Sequence, residues 1–437
     1  MKSMRGLRCA VPRWAVIVGA AFGAAGAWVD AWAGDFVHAP LQPTLDKLMY
    51  PFAPDGGTRG IAYTFGSFDS RFDTRDAQVL LGWDLAGSGV PAGLKPSRYL
   101  VRSLRISVQV VSDFSFEYDP THDVAWTYAT NAPGYVKDAD LGRPAEIFGA
   151  AFRNGFASET FKETSPFGFV GSFTASNIAI QSRNAYAAAF GAEGGLIDVA
   201  NNVGQVNPAY TNGTFEIAPW AVGRARDVEP GQRVPFGTWL DFDLDLADPL
   251  VAGYVQSGLS EGRLRFFLTS LHPAAQSGFG GGGAYPYWSL RENLLGDPPR
   301  LEVMGTAVMD ADADGNGLPD DWERFYFTSV GIHPGADADG DGVSNADEWR
   351  DGTDPTRAAS ALRILGMRWT ASGATFRVPV IPGRRHEVET SADLRSWRVA
   401  FGRMSYPGDG TVEWVEEDPT MPPMAPVARF YRVVTSD

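Results

Sequence analysis

Carboxylates and a side-chain amide alternate over two short segments, Asp312-Asp314-Asn316 and Asp337-Asp339-Asp341, and each run is followed at once by a glycine, Gly317 or Gly342. Asp320 and Glu323 complete the first segment, and Asn345 and Glu348 stand at the corresponding places of the second. The pattern is D-x-[DN]-x-[DN]-G-x5-E, written twice with an offset of 25 positions. Such a chain can fold around one hard cation. Alternate side chains point inward, the backbone carbonyls of Leu318 and Val343 add a neutral oxygen each, glycine relieves the sharp turn, and the glutamate closes the sphere through both its oxygens. Calcium suits this flexible set of oxygens, whereas magnesium demands a tighter octahedron and keeps its waters. Thirteen acidic residues stand against two arginines, Arg324 and Arg350, between Asp310 and Asp354. Packed together without a cation they would repel one another.

The closing glutamates need a rigid support, and a short helix after each loop supplies it. Pro319 and Ser344 suit the helix starts, and Trp322, Phe325 and Trp349 give the helices an apolar side. With the closing DGTDP of Asp351–Pro355, the segment resembles the acidic calcium repeats of the thrombospondin type 3 and dockerin kind. That resemblance covers about a tenth of the chain and implies extracellular, structural calcium sites that stiffen a connection between modules. The spacer RFYFTSVGIHPGA matches neither family's spacing, so residues 306–357 are read as a two-loop unit of their own.

The flanking sequence is β-rich. Downstream, residues 358–437 alternate apolar and polar positions in LRILGMRWT, TFRVPVI, RHEVETS, SWRVAFG, TVEWVEE and RFYRVVT, which predicts six short strands in a small sandwich with Trp397 and Tyr431 in its core. This part resembles the C-terminal sandwich modules of large secreted bacterial proteins. Upstream, AQVLLGWDL, YLVRSLRISVQVV, FGTWLDFDLDL, GRLRFFLTSL and PPRLEVMG predict strands of a larger all-β domain over 34–305. The order of these strands resembles the jelly rolls related to carbohydrate-binding modules, with residues 113–230 as an insertion. The fold class expected is therefore mainly β: a large jelly-roll-like sandwich, an EF-hand-like calcium segment and a small C-terminal sandwich.

Other residues offer weaker chemistry. Tyr285, Tyr287 and Trp288 beside a glycine-rich loop could set aromatic faces against sugar rings, as could Trp126, Tyr128 and Tyr135, although aromatic clusters also fill sandwich cores. Asp241, Asp243 and Asp245 alternate along one strand, so with Glu292 or Asp84 they could supply the acid and base of glycoside hydrolysis; a solvent face opposite Phe242 and Leu244 explains them more simply. His38, His122 and His272 lack metal-ligand spacing. Asn212-Gly213-Thr214 fits a glycosylation acceptor or a plain turn.

A formal charge of -15 over 437 residues, with no basic stripe, argues against nucleic acid as a partner. Lys2, Arg5, Arg8 and Arg13 precede the apolar run WAVIVGAAFGAAGAWV and the small-residue site AWA, which predicts a secretion signal over 1–33, cleaved after Ala33. The sole cysteine, Cys9, would leave with it, and nothing later is apolar enough to span a membrane. Three readings of function follow. The first is a secreted, noncatalytic calcium-binding modular protein whose larger sandwich binds polysaccharide or a cell-surface partner. A secreted polysaccharide-degrading enzyme, hydrolase or lyase, is the second, and a structural surface or matrix component is the third.

Overall fold

The computed structural model describes residues 35–37, 40–50, 59–66, 74–128, 134–168, 183–203, 214–274, 284–370, 373–417 and 429–436. The expected signal segment, His38, Asn212 and the glycines preceding Tyr285 lie outside the described residues. Ala33–Asp437 forms one compact unit.

The mainly β expectation holds: among the described residues, antiparallel sheets carry the fold and only three helices are α-helical. The first sheet runs Asp35–Val37, Arg300–Ala307, Tyr99–Gln109, Trp239–Asp243, Arg224–Ala225, with every neighbouring pair antiparallel. The second runs Leu45–Met49, Arg75–Asp84, Arg263–Ser270, Ala145–Phe152, Ala185–Phe190, Leu196–Asp198. Leu104, Ile106 and Val108 of one sheet and Val79, Leu81 and Trp83 of the other belong to the same buried cluster, as the two-residue period of facing strands requires.

The strand Arg75–Asp84 is buried on both faces, and the second face has its own core. Leu80, Phe148 and Phe267 there meet Phe161, Phe167, Ala187 and Ile217. Much of the segment expected as an insertion is therefore part of the fold: Ala145–Phe152 and Ala185–Phe190 are interior strands, and the chain between them lays a second apolar layer on the sheet. On the other face, Gly149 admits the Trp220 ring of the main core, because a Cβ on it would overlap that ring.

Between two of the expected strands lies a helix the alternation pattern passes over, α1, Pro249–Glu261. Asp248 caps it by accepting the Leu250 amide, Pro249 opens it, and Gly262 ends it at φ 70°. Its buried side chains Val251, Val255 and Leu259 recur every four residues and join the main core.

The C-terminal sandwich pairs Leu365–Thr370, Gly373–Pro379, Thr411–Glu416 and Gly402–Ser405 in one sheet and Arg398–Val399, Arg385–Ser391 and Phe430–Ser436 in the other. Phe376, Val378, Val388, Val412 and Trp414 fill it, with Tyr431 packed against them. Trp397 is a correction to the sequence reading: it is half-buried outside this core, beneath the Arg432 guanidinium at 4.5 Å, and Trp414 takes the interior place. No helix among the described residues is long and apolar enough to cross a membrane.

Candidate metal centre

Both acidic segments fold into the same loop. In the first, Asp312 Oδ1 accepts the amides of Gly315 (2.7 Å) and Asn316 (3.1 Å), and its Oδ2 accepts that of Gly317 at 2.9 Å. In the second, Asp337 Oδ1 accepts the amides of Gly340 (2.8 Å) and Asp341 (3.1 Å), and its Oδ2 that of Gly342 at 2.8 Å. The turn needs a left-handed residue at the sixth place, where Gly317 has φ 94° and Gly342 φ 96°. The amide of Gly317 first, with those of Gly315 and Asn316, holds the Asp312 carboxyl below the usual carboxylate range.

The fifth residue locks the exit of each loop. Asn316 Oδ1 accepts the Leu318 amide at 2.7 Å, and Asp341 Oδ1 that of Val343 at 2.8 Å. The Leu318 side chain is buried, which ties the seventh residue of the first loop to the core beneath. The chain then enters α2, Asp320–Phe327, or α3, Asn345–Asp351. Ser344 caps α3 through the Asp347 amide, while Pro319 opens α2 without a side-chain cap. The closing residues Glu323 and Glu348, in the first turn of each helix, are completely buried.

The decisive feature is what these oxygens lack. Asp339 Oδ2, Asp341 Oδ2, Asn345 Oδ1 and Glu348 Oε2 are each buried without a hydrogen-bond donor, and so is Glu323 Oε2 in the first loop. These are the third, fifth, ninth and twelfth places of the second loop and the twelfth of the first. Buried polar atoms are almost always satisfied, and an orphaned carboxylate oxygen is especially costly. Burial first, and then the neighbouring charges of Asp339 and Asp341, raise the Glu348 pKa to about 7. Oxygens from Asp312, Asp314 and Asp320 lie within 4.8 Å of one another, as do oxygens from Asp337, Asp339 and Asp341, which is the span of ligands around one ion.

The loops differ in how far their oxygens are already spent. In the first, Glu323 Oε1 accepts the Ile332 amide (2.7 Å) and Asn316 Nδ2 (2.8 Å), while Asp320 accepts from the Ala313 amide (2.9 Å) and Arg324 (3.0 Å). In the second, Glu348 Oε1 meets only the Thr353 hydroxyl at 3.2 Å. Loop 337–348 is thus the better prepared for a cation.

The segment is bound to the larger sandwich. Trp322 is buried with Val308 and Leu318, against the rings of Tyr326 (5.3 Å), Phe327 (5.9 Å) and Trp349 (6.0 Å). Arg98 reaches across to Asp310 at 2.6 Å and stacks on Trp349 at 4.6 Å, and Arg102 covers Phe325 at 4.4 Å.

The other sequence candidates lie elsewhere. Tyr285 and Tyr287 stack at 5.3 Å in a half-buried aromatic group with Tyr63. Trp288 does not join them as a binding face; it is fully buried, with Nε1 donating to Thr64 Oγ1 at 3.0 Å, because the strand pleat turns it into the core. Tyr128 is likewise buried, under the Arg143 guanidinium, whereas Tyr135 is exposed. Asp241 is held by Ser107 (2.7 Å) and Arg226 (3.0 Å), and Asp243 by Arg105 (2.6 Å). Asp245 lies past the strand end and accepts the Ala247 amide. Asp84 sits in the opposite sheet, paired with Arg265, and Glu292 pairs with Arg291. The aspartates alternating along the strand are an ion-paired outer face.

His122 pairs with Glu146, itself buried against Arg75 at 2.7 Å. His272 packs edge-on to Phe116, and burial, helped by the positive charge of Arg143, lowers its pKa to about 3. The unfolded chain takes up a proton near pH 6.5 that the native chain refuses until about 3, so this residue removes stability as pH falls below 6.5. Between pH 6.5 and about 5 its share approaches about 1.4 kcal/mol per pH unit. Urea melts across that range should show a shallower dependence for His272→Phe than for the native chain; equal slopes would refute the assignment.

Sequence reasoning missed two further acidic groups, Asp46–Glu163–Glu292 and Asp119–Asp123–Asp140. The first gathers residues far apart in the chain, and no local spacing marks it. No family model, curated protein or solved structure matches this chain.

Proposed function

We propose that this chain is a secreted, noncatalytic calcium-binding modular protein in which residues 310–354 hold two calcium ions and brace the joint between a large and a small β-sandwich. The observation that carries this reading is the set of buried, donorless oxygens at the ligand positions of two loops built alike. A cation converts them from a cost into coordination, and five unsatisfied oxygens in one short segment are hard to account for otherwise. The packing of Trp322 and Trp349 against the larger sandwich supports the bracing role.

Extracellular modules bind calcium at roughly 0.1–1 mM, which would keep such loops empty in the cytosol and filled after export. The larger sandwich is the part we assign to polysaccharide or a cell-surface partner, with the half-buried Tyr63, Tyr285 and Tyr287 as its aromatic surface. A polysaccharide-degrading enzyme would need an acid and a base left free; the arginine partners of Asp241 and Asp243 favour the noncatalytic reading.

Calcium titration calorimetry of the full chain is the test. The native chain should show loop binding in the range above that disappears in Glu323→Gln/Glu348→Gln. Of the single variants, Glu348→Gln should lose the tighter site. Identical isotherms for the native chain and the double variant would reduce the loops to an acidic linker.

A further inference from the structure

We infer that the larger sandwich carries a third divalent-cation site, built by Asp46, Glu163 and Glu292 and suited to calcium. The site is independent of the two loops. Asp46 lies on the strand Leu45–Met49, Glu163 follows the strand Ala145–Phe152, and Glu292 follows the strand Tyr287–Ser289. One carboxylate oxygen from each lies within 4.8 Å of the others. Oxygens that close together can share one calcium ion at about 2.4 Å, and the flexible geometry of calcium suits carboxylates from three separate segments better than the tight octahedron of magnesium does.

Arg291 donates to all three acids: its amide to Asp46 Oδ2 at 2.5 Å, Nη2 to Glu163 Oε2 at 2.8 Å, and Nε to Glu292 Oε1 at 2.9 Å. Lys47 Nζ donates to the Glu163 carbonyl oxygen at 2.6 Å. Each carboxylate is then left with one buried oxygen that has no donor: Asp46 Oδ1, Glu163 Oε1 and Glu292 Oε2. The Asp46 side chain is itself enclosed, with 1 % of its surface exposed. Three carboxylates against the two cations Arg291 and Lys47 leave an excess negative charge, and the unsatisfied oxygens fall on all three acids. A divalent ion answers both deficits, as a buried acidic cluster requires.

Burial raises the Asp46 pKa to about 7, so a proton shared among the three acids is the competing way to relieve them. The two differ in what the chain binds. Equilibrium dialysis of the full chain against calcium should give three ions per chain, and one in Glu323→Gln/Glu348→Gln. Adding Asp46→Asn to that double variant should abolish the remaining ion with the far-UV circular dichroism unchanged. If Asp46→Asn does not fold, Glu292→Gln, at the more exposed edge of the cluster, should remove the same ion. A double variant that binds no calcium, or one whose remaining ion survives both substitutions, overturns the inference. A native chain that binds a single ion, lost with Asp46 and untouched by the loop substitutions, would instead sink the proposed function and leave this site standing.

Discussion

In excess chelator, proteases should cut the chain between Asp310 and Asp354 while both sandwiches stay intact. If each loop holds calcium as proposed, free calcium about 100-fold above the dissociation constant would add about 2.7 kcal/mol per loop to the native state, and two independent loops about 5 kcal/mol. That is a large part of the stability of an ordinary domain. The loss should be local. Asp339, Asp341 and Glu348, the proposed ligands, each keep one buried oxygen without a donor, so removing the cation would restore their repulsion. The clusters around Trp83 and Trp414 do not depend on those residues. Hydrogen exchange with and without chelator would check it: amides of 310–354 should lose protection while those of Arg75–Asp84 and Thr411–Glu416 keep theirs. Unchanged protease resistance of the acidic segment would contradict the bracing role.

Replacing Trp322 with alanine should destabilise the chain by about 3–5 kcal/mol, the range for deleting a large buried aromatic. Trp322 is 2 % exposed and fills the space between Val308, at the end of the last strand of the larger sandwich, and the rings of α2 and α3. It also sits between two expected ligands, Asp320 and Glu323, so the cavity would free the turn that aims them. Calcium affinity should therefore fall at least about tenfold, equivalent to about 1.4 kcal/mol. Trp397→Ala is the control. Its ring is half-buried beneath Arg432, outside the core, and its loss should cost no more than about 1 kcal/mol, the scale of an exposed cation–π contact. Equal effects of the two substitutions would mean that the Trp322 cluster carries no special weight.

The loops were legible in the sequence because their candidate ligands are local: position within twelve residues fixes which side chains converge, and the structure brings Asp312, Asp314 and Asp320, and Asp337, Asp339 and Asp341, together as spaced. The strands around Trp83, Ile106 and Phe267 were legible for the same reason, since a pleat repeats every two residues. What escaped depends on contacts between distant segments. The run Val79-Leu80-Leu81 within Arg75–Asp84 offers apolar residues to both faces of the strand but does not say that Phe161 and Phe167 cover one of them. Helix α1 has its own signals, a cap at Asp248, Pro249 in its first turn, Gly262 after it and a four-residue apolar repeat, but the strand alternation on either side of it masks them. Trp397 and Trp288 show the limit for aromatics, which composition alone assigns to core or surface no better than a guess. The Asp46 cluster had no signature, because its three acids come from three separate segments.

The order of strands in the first sheet sets a timetable for synthesis. Tyr99–Gln109 lies at its centre, yet both neighbours, Trp239–Asp243 and Arg300–Ala307, are made long after it, and Asp35–Val37 can pair only with the last of these. Until residue 307 is available, the central strand has unpaired edges and the core beside it stays open, a slow and aggregation-exposed route to the native state. The acidic loops begin three residues later, at Asp310. If the loops hold calcium as proposed, they would fill only after export, so the cation would act as a latch on a sheet that closes last as well as a brace on the folded chain.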